Sequence, residues 1–415
     1  MSANTQVPGA SPPPPNAPPT GRPGPLAGTR IIEVAGIGPG PFAAMLLADM
    51  GADVIRIDRI GTATASFDID PELDILSRNR RSIAVDLKTS GGRDVVLRLC
   101  ASATALIEGF RPGVMERLGL GPEECLRSNP ALVYGRITGW GQTGPLSLSA
   151  GHDINYIALS GCLHGIGRAG EPPVPPVNLV GDYGGGAMFL ATGILAAVIH
   201  ARATGQGQVV DAAILDGTAL FLAPFMGLRT MGFWRDTRGA NLLDGGAYYY
   251  DCYPTRDGRY LSIGALEPRF FAELLRIAGL DPATYTQSEP SKWPTLRARL
   301  AEVILQRDRD NWMTLFGTGD ACVAPVLSME EAPRHPHNIA RETFIHRFGT
   351  LQPAPAPRFS ETPGSVRSPP PRIGAHTRTI LSELDFSDAR IDDLLHQGAC
   401  AEAAPPALPG GGRGA

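Results

Sequence analysis

Between residues 29 and 141 short apolar runs alternate with longer amphipathic stretches. TRIIEVA (29–35), DVIRID (53–58) and SIAVDL (82–87) are apolar enough to be strands buried on both faces. PGPFAAMLLADMG follows the first run; its prolines suit a first helical turn and Gly51 suits its end. GGRDVVLRLCASA reads as a second helix, ATALIEGF as a strand, and LVYGRITGWG (132–141) as a further strand after two short helices. This alternation predicts an α/β fold with a doubly wound, Rossmann-like parallel sheet.

The longest apolar stretch, AMFLATGILAAVIHA (187–201), is too short to cross a bilayer, so a buried helix and no membrane span are expected. GQVVDAAILDGTALF again reads as strand then helix. Beyond it the pattern changes. TRGANLLDGGAYYYDCY and GRYLSIGAL (258–266) predict turns and antiparallel strands, followed by helices from Glu267 to about Gly279 and from Lys292 to about Phe316. RIGAHTRTILSEL (372–384) reads as a late amphipathic helix. The expected organisation is a Pro-rich disordered tail (1–26), a large α/β domain (28–215), and a linker with a smaller α+β domain (216–345). A Pro-rich connector then returns to the large domain (346–396), and a disordered tail (397–415) ends the chain. No internal repeat is visible.

Composition narrows the function classes. The 415 residues carry 37 basic and 41 acidic side chains, a net charge of −4, so no general basic field recruits nucleic acid. Six scattered cysteines include no C-x-x-C pair, which argues against a zinc framework or disulfide scaffold and fits a cytoplasmic setting. The start lacks the pattern of a secretory leader, and the final GGGRGA is not a peroxisomal address. GIGRAG (165–170) matches G-x-G-x-x-G, but the following EPPVPP forbids the helix a pyrophosphate would need. RHPHN (334–338) lacks a third ligand at metal-binding spacing and reads as a surface loop, and no G-x-S-x-G elbow occurs.

Basic residues gather in one part of the sequence: Arg56 and Arg59, then Arg78, Arg80, Arg81 and Lys88, then Arg111 and Arg117. Strand ends of a doubly wound sheet share a rim, where such a group would suit a phosphate-bearing ligand; a solvated, self-paired face fits the composition equally.

Two further stretches each open an apolar segment with an ionisable group. In AGHDINYIALSG (150–161) His152 stands beside Asp153, yet neighbours on a helix point apart, so Asp153 reads as a cap or turn residue rather than the partner of His152. In NLVGDYGGG (178–186) Asp182 precedes three glycines at an expected helix start, where an aspartate is ordinarily an N-cap. Consecutive glycines disfavour a helix, but they offer bare amides to a ligand. A carboxylate beside such amides could remove a proton while they hold the resulting oxyanion.

These segments, together with EVAGIGPGPFAAMLLADMGADVIRIDR, RRSIAVDLK, TGQGQVVDA, NLLDGGA and GALEPRFF, resemble the racemases of the family III CoA-transferase superfamily, in order over about residues 28–396. The resemblance implies 1,1-proton transfer that interconverts (R)- and (S)-2-methylacyl-CoA thioesters through an enolate. It implies His152 and Asp182 as acid/base groups on opposite faces of Cα, with Glu267 supporting His152. It further implies CoA contacts at Arg59, at Val85, Asp86, Leu87 and Lys88, and at Gly151, His152, Asp153, Ile154, Asn155 and Tyr156, with Arg78, Arg111 and Arg117 at matching positions. No separate cofactor or metal is implied, because coenzyme A is part of the substrate. The family's subunits interlock, so the resemblance implies a homodimer whose sites join the large domain of one chain to the small domain of the other. Tyr248 stands where the family commonly has proline, which bears on substrate preference. The nearest alternative is a CoA-transferase of the same superfamily, in which the aspartate equivalent to Asp182 is a nucleophile.

Overall fold

The computed structural model describes residues 24–61 and 70–404. The chain divides into two compact units. The first comprises Met1–Leu148, Gly186–Ala213 and His337–Ala415, and the second Ser149–Gly185 and Ile214–Pro336.

The first unit is built on six parallel strands, β1 (Arg30–Val34), β2 (Asp53–Asp58), β3 (Arg80–Val85), β4 (Ala105–Glu108), β5 (Val133–Thr138) and β6 (Val209–Ala213). They lie in the order β3-β2-β1-β4-β5-β6, so the chain reverses its direction of growth between β1 and β4, as the doubly wound expectation requires. Ile32, Ile55, Ile83 and Leu106 are fully buried, which explains why these strands read as unbroken apolar runs. The helix Ser90–Ser102 is capped by Thr89, whose hydroxyl accepts from the Gly92 N–H at 3.0 Å. Its Val95, Val96 and Leu99 share a core with Ile380, Leu381, Ile391 and Leu394 of the returning segment.

The helix that opens at Leu179 is longer than its apolar stretch. It runs to Thr204 and, at 26 residues, is long and apolar enough to cross a membrane by length and composition alone. Half of its most apolar window is buried, and a helix packed in a protein core passes the same test. Leu190 and Ile194 pack tightly over Gly135 of β5, where an added Cβ would meet their side chains at 3.0–3.2 Å.

Two expected boundaries are corrected. The tail expected from 397 onward is ordered to residue 404: Cys400–Ala401 pairs antiparallel with β3 and extends the sheet by a seventh strand. Of the expected N-terminal tail, 1–23 lie outside the described residues, while Leu26 donates its N–H to the Met50 carbonyl at 2.9 Å. Residues 405–415 also lie outside them.

The second unit contains an antiparallel three-stranded sheet, Tyr250–Pro254, Tyr260–Gly264 and Val323–Val326. The helices Pro268–Ala278, Trp293–Ile304 and Arg309–Phe316 share its core. The expected helix from Lys292 to Phe316 is thus two. Tyr248 is fully buried here, edge-on to Tyr249, with its hydroxyl donating to the Thr286 carbonyl at 3.2 Å. It is a core residue of this unit. The large domain expected as continuous over 28–215 is interrupted: Ser149–Gly185 belongs to this second unit, where Arg168 pairs with Asp251 at 2.6 Å.

Candidate active site

The second unit brings the two ionisable stretches together. His152 is the N-cap of the helix Asp153–Ser160, and Asn155 Oδ1 accepts from the His152 backbone N–H at 3.1 Å. His152 is exposed. Asp153, the first helical residue, is 7% exposed and turns away from its own helix. Its Oδ1 accepts from the backbone N–H of Asp182 at 2.6 Å. The Asp153 and Ile154 amides make no hydrogen bond among the described residues, as expected of a helix first turn.

Asp182 is not an N-cap. It lies inside a π-helical segment, Leu179–Ala187, that runs directly into the α-helix Met188–Thr204. Tyr183 donates to the Asn178 carbonyl at 3.3 Å, the five-residue step of a π-helix. The glycines are therefore not the bare first turn expected of them, since their amides fall within that ladder. They serve close packing instead. A Cβ on Gly181 would collide with the Asp153 carboxylate, and one on Gly185 with Thr218 of the helix Ile214–Leu220. Gly217 meets the Gly185 carbonyl just as closely.

The Asp182 carboxylate is half-buried, with Asn178 Nδ2 donating to Oδ2 at 3.3 Å. Burial pushes its carboxyl above the ordinary aspartate range; Asn178 pulls it down, the Asp153 charge pushes it up, and His152 pulls it down. Burial likewise raises the Asp153 carboxyl, against the lowering effect of the Asp182 and Gly181 amides. His152 and Asp182 are thus electrostatic neighbours. Glu267 is not brought to them within the chain. It is the exposed N-cap of the helix Pro268–Ala278, and among the described residues no hydrogen bond or ion pair joins it to His152. Its charge acts on the Cys322 thiol.

The expected CoA contacts in the first unit separate by strand direction. Arg59, Lys88, Arg111 and Arg117 are exposed and follow the carboxyl ends of β2, β3 and β4. Val85 ends β3, with Asp86, Leu87 and Lys88 in the turn after it, where Asp86 Oδ1 accepts from the Lys88 N–H at 3.0 Å. Arg78, Arg80 and Arg81 lie at the opposite, amino end of β3. Arg78 is corrected as a ligand contact. It is 3% exposed and its guanidinium is fully engaged, with Asp49 at 3.1 and 2.5 Å, Gln352 at 2.8 Å and the Pro353 carbonyl at 2.9 Å. Arg80 is buried against Glu33 at 2.8 Å, and Arg81 pairs with Asp53 and Glu383 at 2.7 Å each. The basic cluster is therefore two groups, of which one is engaged in ion pairs within the chain. Among the described residues no three His, Cys, Asp or Glu side chains are grouped to hold a metal ion.

The CoA-transferase family III model covers residues 26–377, and the chain belongs to that family. Within it, the chain is 44% identical to alpha-methylacyl-CoA racemase of Mus musculus and 42% identical to that of Homo sapiens. Each match covers 89% of this chain and 96% of the relative. A crystal structure of a CAIB/BAIF family protein from Brucella suis superposes with a TM-score of 0.76 at 27% identity, over 88% of this chain and 100% of that one.

Proposed function

We propose that this enzyme interconverts (R)- and (S)-2-methylacyl-CoA thioesters by proton transfer at Cα, with His152 and Asp182 as the two acid/base groups. The observation that supports the proposal is the bond between Asp153 Oδ1 and the Asp182 N–H, which ties the helix opened by His152 to the segment carrying the half-buried Asp182 carboxyl. Inversion needs one group unprotonated to take the Cα proton and the other protonated to return one to the opposite face. An ordinary carboxyl is a poor proton donor at neutral pH, so a half-buried Asp182 with a raised pKa suits the exchange with an imidazole. Each positioned base contributes about 10²–10⁴-fold.

The enolate oxygen needs donors too, each worth about 10²–10³-fold. The first-turn amides of Asp153 and Ile154, which make no hydrogen bond among the described residues, would serve in that role in place of the glycine amides. In the first unit, the exposed Arg59, Lys88, Arg111 and Arg117 would receive the CoA phosphates as charge-assisted partners. No further cofactor enters this scheme, and the six free thiols suit a reducing cytoplasm.

A homodimer belongs to the proposal. The helix Ala223–Thr230 has no buried residue, and Met226, Met231 and Phe233 are exposed at 62%, 62% and 74%. Large apolar side chains exposed this close together in sequence would be covered by a partner, here a second copy of the chain. Glu267 would then approach His152 from that copy.

The deciding experiment incubates an enantiopure 2-methylacyl-CoA in heavy water with no second carboxylic acid. Deuterium uptake at Cα with loss of optical rotation is expected. Absence of exchange, with labelled CoA moving between added acids, would replace proton transfer by Asp182 nucleophilic catalysis.

A further inference from the structure

We infer that Asp153 is a positioning residue for Asp182, acting through the Asp182 main chain; the inference rests on the proton-transfer reading above. Three features of the structure support it. Asp153 is neither an N-cap nor solvated: His152 holds the cap, and the Asp153 carboxylate leaves its own helix to accept a bond from a residue 29 positions away. At 2.6 Å this bond is short, as a carboxylate with an N–H donor makes it. The chain also keeps glycine at 181, where any Cβ would drive the carboxylate and the Asp182 peptide apart.

The third feature is an uncompensated cost. Asp153 Oδ2 is buried and has no hydrogen-bond partner. A buried acceptor left unpaired costs about 1–3 kcal/mol, and an ordinary helix opening would avoid that with serine or asparagine. The arrangement is intelligible if the fixed Asp182 backbone matters more than local stability. A π-helix is a place where the chain could otherwise relax to the more stable α-helical step. Holding the Asp182 N–H from outside the ladder fixes the rotation of that residue and thereby the direction of its carboxylate. A base misplaced by an ångström can lose about 10²-fold in rate.

The test compares three variants in the full-length enzyme, reading kcat and KM with each enantiomer, and folding by circular dichroism. Asp153→Ala removes the acceptor, and kcat should fall about 10²-fold with KM changed little. Asp153→Asn keeps an acceptor oxygen and should restore kcat to within about tenfold of the native enzyme. Gly181→Ala leaves Asp153 intact but displaces the bond, and should lower kcat as Asp153→Ala does; it decides the matter if Asp153→Ala fails to fold. A folded Asp153→Ala or Gly181→Ala enzyme with native kcat overturns the inference, as does an Asn variant no better than Ala. Failure of the underlying reading is distinguished by Asp182→Ala: if that variant still inverts substrate, the proton-transfer role of Asp182 fails, whatever Asp153 does.

Discussion

Asp153 Oδ1 and the Asp182 backbone N–H stand 2.6 Å apart, so residues from two separate sequence segments are bonded at one place. His152 and Asp182 are thereby tied to a common frame, and the Asp153 charge acts on the Asp182 carboxyl.

That charge has a pH consequence. Burial raises the Asp182 carboxyl first, and the nearby Asp153 carboxylate raises it further. Asp153→Asn removes a negative charge that opposes ionisation of Asp182, so the activity limb governed by Asp182 should move to lower pH. Profiles of kcat/KM against pH for the native and Asn enzymes check this. A limb that stays in place or rises contradicts it.

The separation of Glu267 from His152 within one chain predicts complementation. If the proposed homodimer forms, His152→Ala and Glu267→Gln chains, each impaired alone, should regain about a quarter of native activity when unfolded and refolded together at equal amounts, because half the dimers would then carry one intact site. Mixtures no more active than the separate variants would place Glu267 with the His152 of its own chain or remove it from the site.

Arginines at opposite ends of β3 should fail in opposite ways. Arg78→Ala leaves Asp49 buried without its partner and should cost about 3–5 kcal/mol of stability, measured by denaturant unfolding. Arg111→Ala, on an exposed side chain, should change stability by no more than about 0.5 kcal/mol while raising KM for the CoA thioester. The reverse pattern would return Arg78 to the ligand.

Much of this was readable in the chain. The central strands of the parallel sheet are buried on both faces, so Ile31–Ile32, Val54–Ile55 and Leu106–Ile107 announce themselves as apolar runs. The motifs around His152 and Asp182 located both proposed bases. What stayed hidden has no local signature. A π-helix differs from an α-helix by one residue in the hydrogen-bond step, and the run Gly184–Gly186 reads equally as a loose helix start. Gly185 and Gly217 serve a backbone contact between remote segments, which is why the assignment of Ser149–Gly185 to the second unit escaped the pattern of strands and helices. Charge spacing did not distinguish Arg78, consumed by Asp49, from the exposed Arg111. Two residues, Cys400 and Ala401, are too few to show a strand period.

The central claim is that His152 and Asp182 serve opposite faces of one carbon. The most direct measurement is proton NMR of Cα exchange in heavy water for each enantiomer with the His152→Ala enzyme. Inversion should be lost, with any residual exchange confined to the enantiomer whose proton faces Asp182 and occurring with retention. Equal exchange of both enantiomers accompanied by inversion would contradict the claim.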